Sequence, residues 1–359
     1  MLATRLMIPS LLALSVATGV GRAQFASGRQ PTSLDLPTVS QHAYTMQRIG
    51  LTRIAVAYSR PLVNGRKIWG DVVKYDAVWR AGANENTTIE FSDPVSVEGK
   101  ELSAGTYGLH MIPGKDTWTV IFSKNSTSWG SFSYDKEEDA LRVTVSPRAC
   151  DFHEALSYEF ENLHPDSGEV TLKWEKLAVP FKVGVDVKAL TLSSMRKQLR
   201  NISGFTWMGF DEAATWLADN KYDLEQALKW ADESVQIPQF QNLQTKSRIL
   251  EAMGRKDEAA ATMKLAMEKA NVIDAYNYAR GMQKEGKQDE AMMVFRDLKK
   301  KDPDSWITHL GLARVAVAAH DKEGANKEMQ ASMAGAPKDQ KPMLEKLAKR
   351  IEAGENINQ

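Results

Sequence analysis

Between Tyr58 and Phe91 the chain reads YSRPLVNGRKIWGDVVKYDAVWRAGANENTTIEF, a run dense in side chains that bind or react. Arg60, Arg66 and Arg80 offer forked donors suited to carboxylate, phosphate or sugar hydroxyls. Asn84 supplies both donor and acceptor, and Glu85 an acceptor or base. Trp69 and Trp79 present flat faces for a sugar ring or a cation. Asp71 with Glu85 is a candidate general acid/base pair of the glycosidase type, which needs carboxyls about 5–10 Å apart. His110 lies on the polar side of a later strand, where it lines the same site or is solvated.

Each of these has a plainer reading. Trp79 fits a half-buried core position. Arg80 suits an ion pair with Asp71, Asp76 or Glu85. Asn84 suits a turn that admits unusual backbone angles. Cys150, His153 and His164 form a weak metal-like cluster, in which a lone thiol is better read as a small buried hydrophobe. No nucleophile elbow, HExxH, P-loop or dinucleotide fingerprint is present, and the sequence implies no cofactor or metal.

The elements that must position these residues divide the chain in two. From Gln41 to about Lys188 apolar residues alternate, as in Ile54, Val56 and Tyr58, then Tyr107, Leu109 and Met111, then Trp118, Val120 and Phe122. Further sets follow at Leu141–Val145, Leu156–Phe160, Val170–Trp174 and Phe181–Val187. Alternation of this kind places one face of each strand on a core. With the turn signals between the runs it predicts an antiparallel β-sandwich over 40–190, of jelly-roll or immunoglobulin-like kind.

From Thr206 the period becomes helical and repeats. Ala227, Ala259, Ala291 and Ala325 stand 32, 32 and 34 residues apart, and Ala231, Met263, Phe295 and Met329 follow four residues later. Small residues at a close helix crossing, with a bulky one a turn later, resemble tetratricopeptide repeats. The spacing predicts helix pairs near 207–218/223–235, 240–252/256–269, 273–284/288–300 and 305–318/322–333. A capping helix over 341–353 closes the α-solenoid. Residues 191–205 read as a linker and 354–359 as a tail. The repeats imply a groove for a protein or peptide, with Asn242, Lys246, Asn277, Arg280 and His309 as its candidate residues.

Lys+Arg and Asp+Glu are equal at 46 each, which gives no electrostatic case for nucleic acid or an anionic membrane. Arg5, the apolar run Leu6–Ala17 and Gly21-Arg22-Ala23 read as an export signal over 1–23, followed by a flexible leader over 24–39. That apolar run is shorter than the ~20 residues that span a bilayer, so no stable membrane span is expected after cleavage. With Cys150 as the single cysteine no intramolecular disulfide can form.

The linked motifs at Arg60-Pro61, Gly65-Arg66, Trp69-Gly70, Val78-Arg80 and Gly82-Glu85, followed by the AGTYGLHMIPG hairpin, resemble a bacterial family known only as domain of unknown function 2911. The resemblance implies an exported β-domain, often joined to helical repeats, and carries no established activity. The residues therefore lead to an exported, periplasmic or secreted binding or scaffold protein. Its β-domain would hold a small polar or glycan ligand, and its repeats a protein partner. The competing readings are a hydrolase of envelope polysaccharide or ester with Glu85 as acid/base, and a purely structural module.

Overall fold

A computed structural model describes residues 37–358. The proposed signal and most of the proposed leader lie outside the described residues. The chain divides into two compact units that meet at Val187/Lys188.

The first unit contains two antiparallel sheets. One has the order β1 (Gln41–Ile49), β2 (Thr52–Arg60), β3 (Thr88–Phe91), β6 (Gly105–Ile112), β7 (Trp118–Ser123) and β8 (Asp139–Val145). The other has the order β5 (Lys100–Leu102), β4 (Val95–Val97), β10 (Ser167–Gly184) and β9 (Arg148–His164). Phe122 of β7 and Phe181 of β10 meet edge to face at 5.6 Å, so the inner faces of the two sheets share a core. Leu109, Val120, Phe122, Leu172, Phe181 and Val183 are fully buried there.

The predicted strands at 170–174 and 181–187 belong to one element, β10, which ends at Gly184, and Val187 instead opens the first helix. Residues 170, 172 and 174 face the core, then 179, 181 and 183 do. The switch of parity falls where the pairing with β9 shifts register around Glu175, which has a φ of +56°. A bulge moves alternate side chains to the other face without ending the strand.

Residues 61–87 cross from β2 to β3 with no strand or helix, yet the backbone is tied down. Val63 N–H donates to the Glu154 carbonyl at 2.8 Å and Asp76 N–H to that of Pro113 at 2.8 Å. Trp79 and Met111 exchange two backbone bonds of 2.8 Å.

The second unit is helical. Its hairpins are α2/α3 (Trp207–Asp219, Leu224–Ser234), α4/α5 (Phe240–Ala252, Lys256–Lys269), α6/α7 (Val272–Lys284, Gln288–Asp297) and α8/α9 (Trp306–Ala318, Lys322–Gly335). They are preceded by α1 (Val187–Gln198) and closed by α10 (Lys341–Glu352). The periodic alanines are buried at every repeat, from 0% to 6% exposed, as a close crossing of helices requires. Ser234 Oγ donates to the Trp207 carbonyl and Ser332 Oγ to that of Trp306, both at 2.8 Å. The first and last hairpins thus share one fastening.

Polar residues fasten the second and third hairpins. Asn271 caps α6 through a reciprocal pair with Asp274. Ser247 Oγ donates to the Ala259 carbonyl at 2.7 Å. The span expected as a linker is largely helical, because Leu192 packs into the first helical core. The last residues also fold back. Ile357 is 1% exposed, and buried Arg314 donates to its carbonyl. Asn358 is held by Gln283 at 3.0 Å and by the Arg314 carbonyl at 2.9 Å.

Candidate functional site

The structure gives the residues that the sequence groups together different partners. Arg60 Nε donates to the Leu156 carbonyl at 2.8 Å. Arg66 donates to the carbonyls of Val63 and Leu62 at 3.1 and 2.5 Å. Both forks are therefore engaged in holding backbone. Asp71 is two-thirds exposed beside Lys74 at 3.6 Å. Glu85 accepts from Ser59 Oγ at 3.4 Å. These two carboxylates are held by different partners. Asn84 has a φ of +57° and donates to the Ser40 carbonyl at 3.1 Å, so its turn role is visible directly.

The tryptophans pack inward. Trp69 meets Trp118 of β7 at 5.1 Å, Trp174 of β10 at 5.8 Å and Trp79 at 6.1 Å, each edge to face. Trp79 stacks on Trp174 at 6.0 Å. Trp118 and Trp174 are buried core, and Trp69, half-buried like Trp79, is the hub that packs against them, so packing takes up the inner faces of both rings. Sequence alone cannot separate the two uses, because a tryptophan beside arginines suits a core wedge as well as a binding face.

Arg80 differs from the other arginines. The Trp79–Met111 bridge is antiparallel, so Arg80 lies directly opposite His110, both on the outer face of the six-stranded sheet. Among the described residues no carboxylate pairs with Arg80, which rules out the expected ion pair. Its Nε is buried without a hydrogen-bond partner. Burial alone lowers its pKa, since no acid opposes that effect.

His110 does face away from Tyr107, Leu109 and Met111, but it is not solvated: it is 2% exposed. The loop from 124 to 138 covers it. Its Nδ1 lies 2.8 Å from Ser131 Oγ and its ring 5.4 Å from that of Tyr134. Burial pulls the imidazole down to about 4, against a smaller upward pull from Asp139. Asp139 also accepts from Tyr134 and Arg142, so its charge is already engaged.

The same loop lies on the Arg80 guanidinium. Gly130 has a φ of +64°, and a Cβ there would stand 2.4 Å from Arg80 Nη1. Phe132, 85% exposed, has its ring centre 5.9 Å from the guanidinium carbon. Trp129 is 52% exposed on this loop. Asn86 donates to the Asn125 carbonyl at 3.3 Å, and its Oδ1 is buried without a partner. Sequence reasoning missed Asn86, Trp129, Ser131, Phe132 and Tyr134. The available signal was SWGSFSY, a second long, aromatic-rich connection between strands.

In the helical unit a groove of about 790 Å³ runs between α4, α5 and α6. Phe240, Met263, Tyr278 and Met282 line it beside Arg248, Glu251, Lys256 and Asn277. Of the expected groove residues, Asn277 is exposed and lines it. Asn242 does not: it is fully buried, donating to the carbonyls of Ser234 and Ile237 and accepting from Gln239 N–H. Lys246 pairs with Asp232 at 2.8 Å and His309 with Glu328 at 2.7 Å. Arg280 is half-buried against Gln283.

Cys150 is half-buried, not fully buried as expected, and burial pushes its thiol up. Among the described residues no three His, Cys, Asp or Glu side chains gather as metal ligands. No described helix is long and apolar enough to cross a membrane.

Two packed antiparallel sheets followed by repeated helical hairpins define a two-unit protein, with a β-sandwich and an all-α array. Residues 40–183 match the model of the family described as Protein of unknown function (DUF2911), and the β-unit is a domain of that family. No curated protein matches the chain.

Proposed function

We propose that this chain is an exported cell-envelope binding or scaffold protein. Its helical unit takes a segment of a protein partner, and its β-unit takes a small polar or glycan ligand. The groove between α4, α5 and α6 is the observation that carries this reading. Its volume of about 790 Å³ falls in the range of ligand sites, and its lining combines apolar and polar groups, as suits a peptide.

Several of its charges are already neutralised within the unit. Arg248 pairs with Asp219 at 2.5 Å and Lys287 with Glu285 at 2.8 Å. The partner segment is therefore of mixed composition and not strongly acidic or basic. Selection of a displayed random-peptide library on the full chain tests this. The expected outcome is convergence on an apolar-polar motif, with binding reduced at least tenfold by Asn277→Arg. A library that stays random, or binders indifferent to Asn277→Arg, would remove the reading. Export is tested separately by the mass of the mature protein, which should begin at Gln24.

A further inference from the structure

The outer face of β6, with the loop that covers it, holds the parts of a recognition site that differs from the Arg60–Glu85 cluster of the sequence reading. Arg80 carries a charge with no acid beside it and a buried Nε with no acceptor. A half-buried cation left this way is costly, and an incoming anion relieves it. Ser131, half-buried and held to the covered His110 at 2.8 Å, adds an uncharged hydroxyl on the same face. Phe132 and Trp129 are aromatic side chains left exposed on the covering loop, and Phe132 already lies against the Arg80 guanidinium.

The dyad of Ser131 and His110 does not read as a hydrolase. The imidazole is a weak base in this setting, and no carboxylate bonds to its Nε2 to orient it. An arginine without an acid, a neutral hydroxyl and exposed aromatic faces instead fit a ligand that is at once anionic, hydroxylated and flat-sided. We infer that the β-unit binds an acidic sugar, with the sugar carboxylate on Arg80 and the ring against Phe132 and Trp129. This inference rests on the reading of the β-unit as a ligand holder and is independent of the helical groove.

The test is titration of the full chain with glucuronate, an oligoglucuronate, glucose and acetate, followed by tryptophan fluorescence and calorimetry. Glucuronate should bind saturably and at least about tenfold more tightly than glucose or acetate, since a charge-assisted bond and a stacked ring each contribute on that scale. Arg80→Gln should reduce glucuronate affinity at least about tenfold, and Phe132→Ala, at a side chain already in solvent, should weaken it while leaving the fold intact. Tighter binding of the oligomer than the monomer assigns a polymer as the source; equal binding assigns the free sugar acid.

Glucose binding as tightly as glucuronate, with Arg80→Gln indifferent, would overturn the acidic-sugar assignment while leaving the β-unit a glycan holder. No saccharide binding by a folded chain, with acetate binding no better, would overturn both. Should Arg80→Gln fail to fold, Arg80→Lys takes its place. Lysine keeps the charge but loses the fork, so an unchanged glucuronate affinity there, together with no effect of Phe132→Ala, also rejects the site.

Discussion

Acid should weaken the β-unit through His110, and the size of the effect follows from its burial. In the unfolded chain an imidazole titrates near 6.5, whereas in the fold burial holds His110 near 4. Between those values the unfolded chain takes up a proton that the folded chain refuses. Stability is therefore unaffected by this group above pH ~6.5, falls as the pH drops toward ~4, and levels off below. Each pKa unit corresponds to about 1.4 kcal/mol, so the whole window amounts to about 3 kcal/mol. The part that falls between pH 7 and pH 5 is about 2 kcal/mol. The groups that face the ring are Ser131, Tyr134 and Asp139, with Arg80 opposite on the neighbouring segment. Asp139 is the one acid among them, and its pull is weaker than the effect of burial.

The assay is urea unfolding read by near-ultraviolet circular dichroism of the four-tryptophan cluster, which lies wholly within the β-unit. Wild type should lose about 2 kcal/mol more than His110→Gln between pH 7 and pH 5. Other titrating groups are common to both proteins and cancel in the difference. Identical pH dependence in the two would show that His110 is not held neutral, and the argument from its burial would fail.

Two further outcomes follow from the packing. Trp69→Ala should destabilise the β-unit by about 3–5 kcal/mol and abolish the coupled near-ultraviolet signal, because it removes the hub of the ring cluster; a loss below about 1 kcal/mol would place Trp69 outside the core. Asn242→Ala should cost about 2–3 kcal/mol in the helical unit, measured by urea unfolding followed in the far ultraviolet, because it removes all three hydrogen bonds of a fully buried amide, those to the Ser234 and Ile237 carbonyls and that from the Gln239 N–H. A near-neutral result would restore Asn242 as a surface residue.

The helical half was legible almost to the residue, for a definite reason. Ala227, Ala259, Ala291 and Ala325 mark crossings where only a small side chain fits, and that steric demand recurs at a fixed interval. The β half was legible as alternation, since Leu109, Val120 and Phe181 each face one core. The two-strand reading of Val170–Val187 broke down at Glu175, where a bulge changes the parity of a continuing strand. The candidate site was harder to read. His110 was correctly placed on the outer face, but strand periodicity carries no information about a loop folding over that face. Arg60 and Arg80 look alike in sequence; what distinguishes them is the Leu156 carbonyl, distant in sequence, which only Arg60 reaches. Asn242 looked like a helix-surface residue because an exposed asparagine and a buried cap have the same local sequence.

The claim that the helical unit holds a partner segment is tested most directly by hydrogen exchange of the full chain with and without a peptide selected on it. Exchange should slow only in α4, α5 and α6, and this protection should be lost in Asn277→Arg. Protection elsewhere in the helical unit, or none at a saturating peptide concentration, would contradict it.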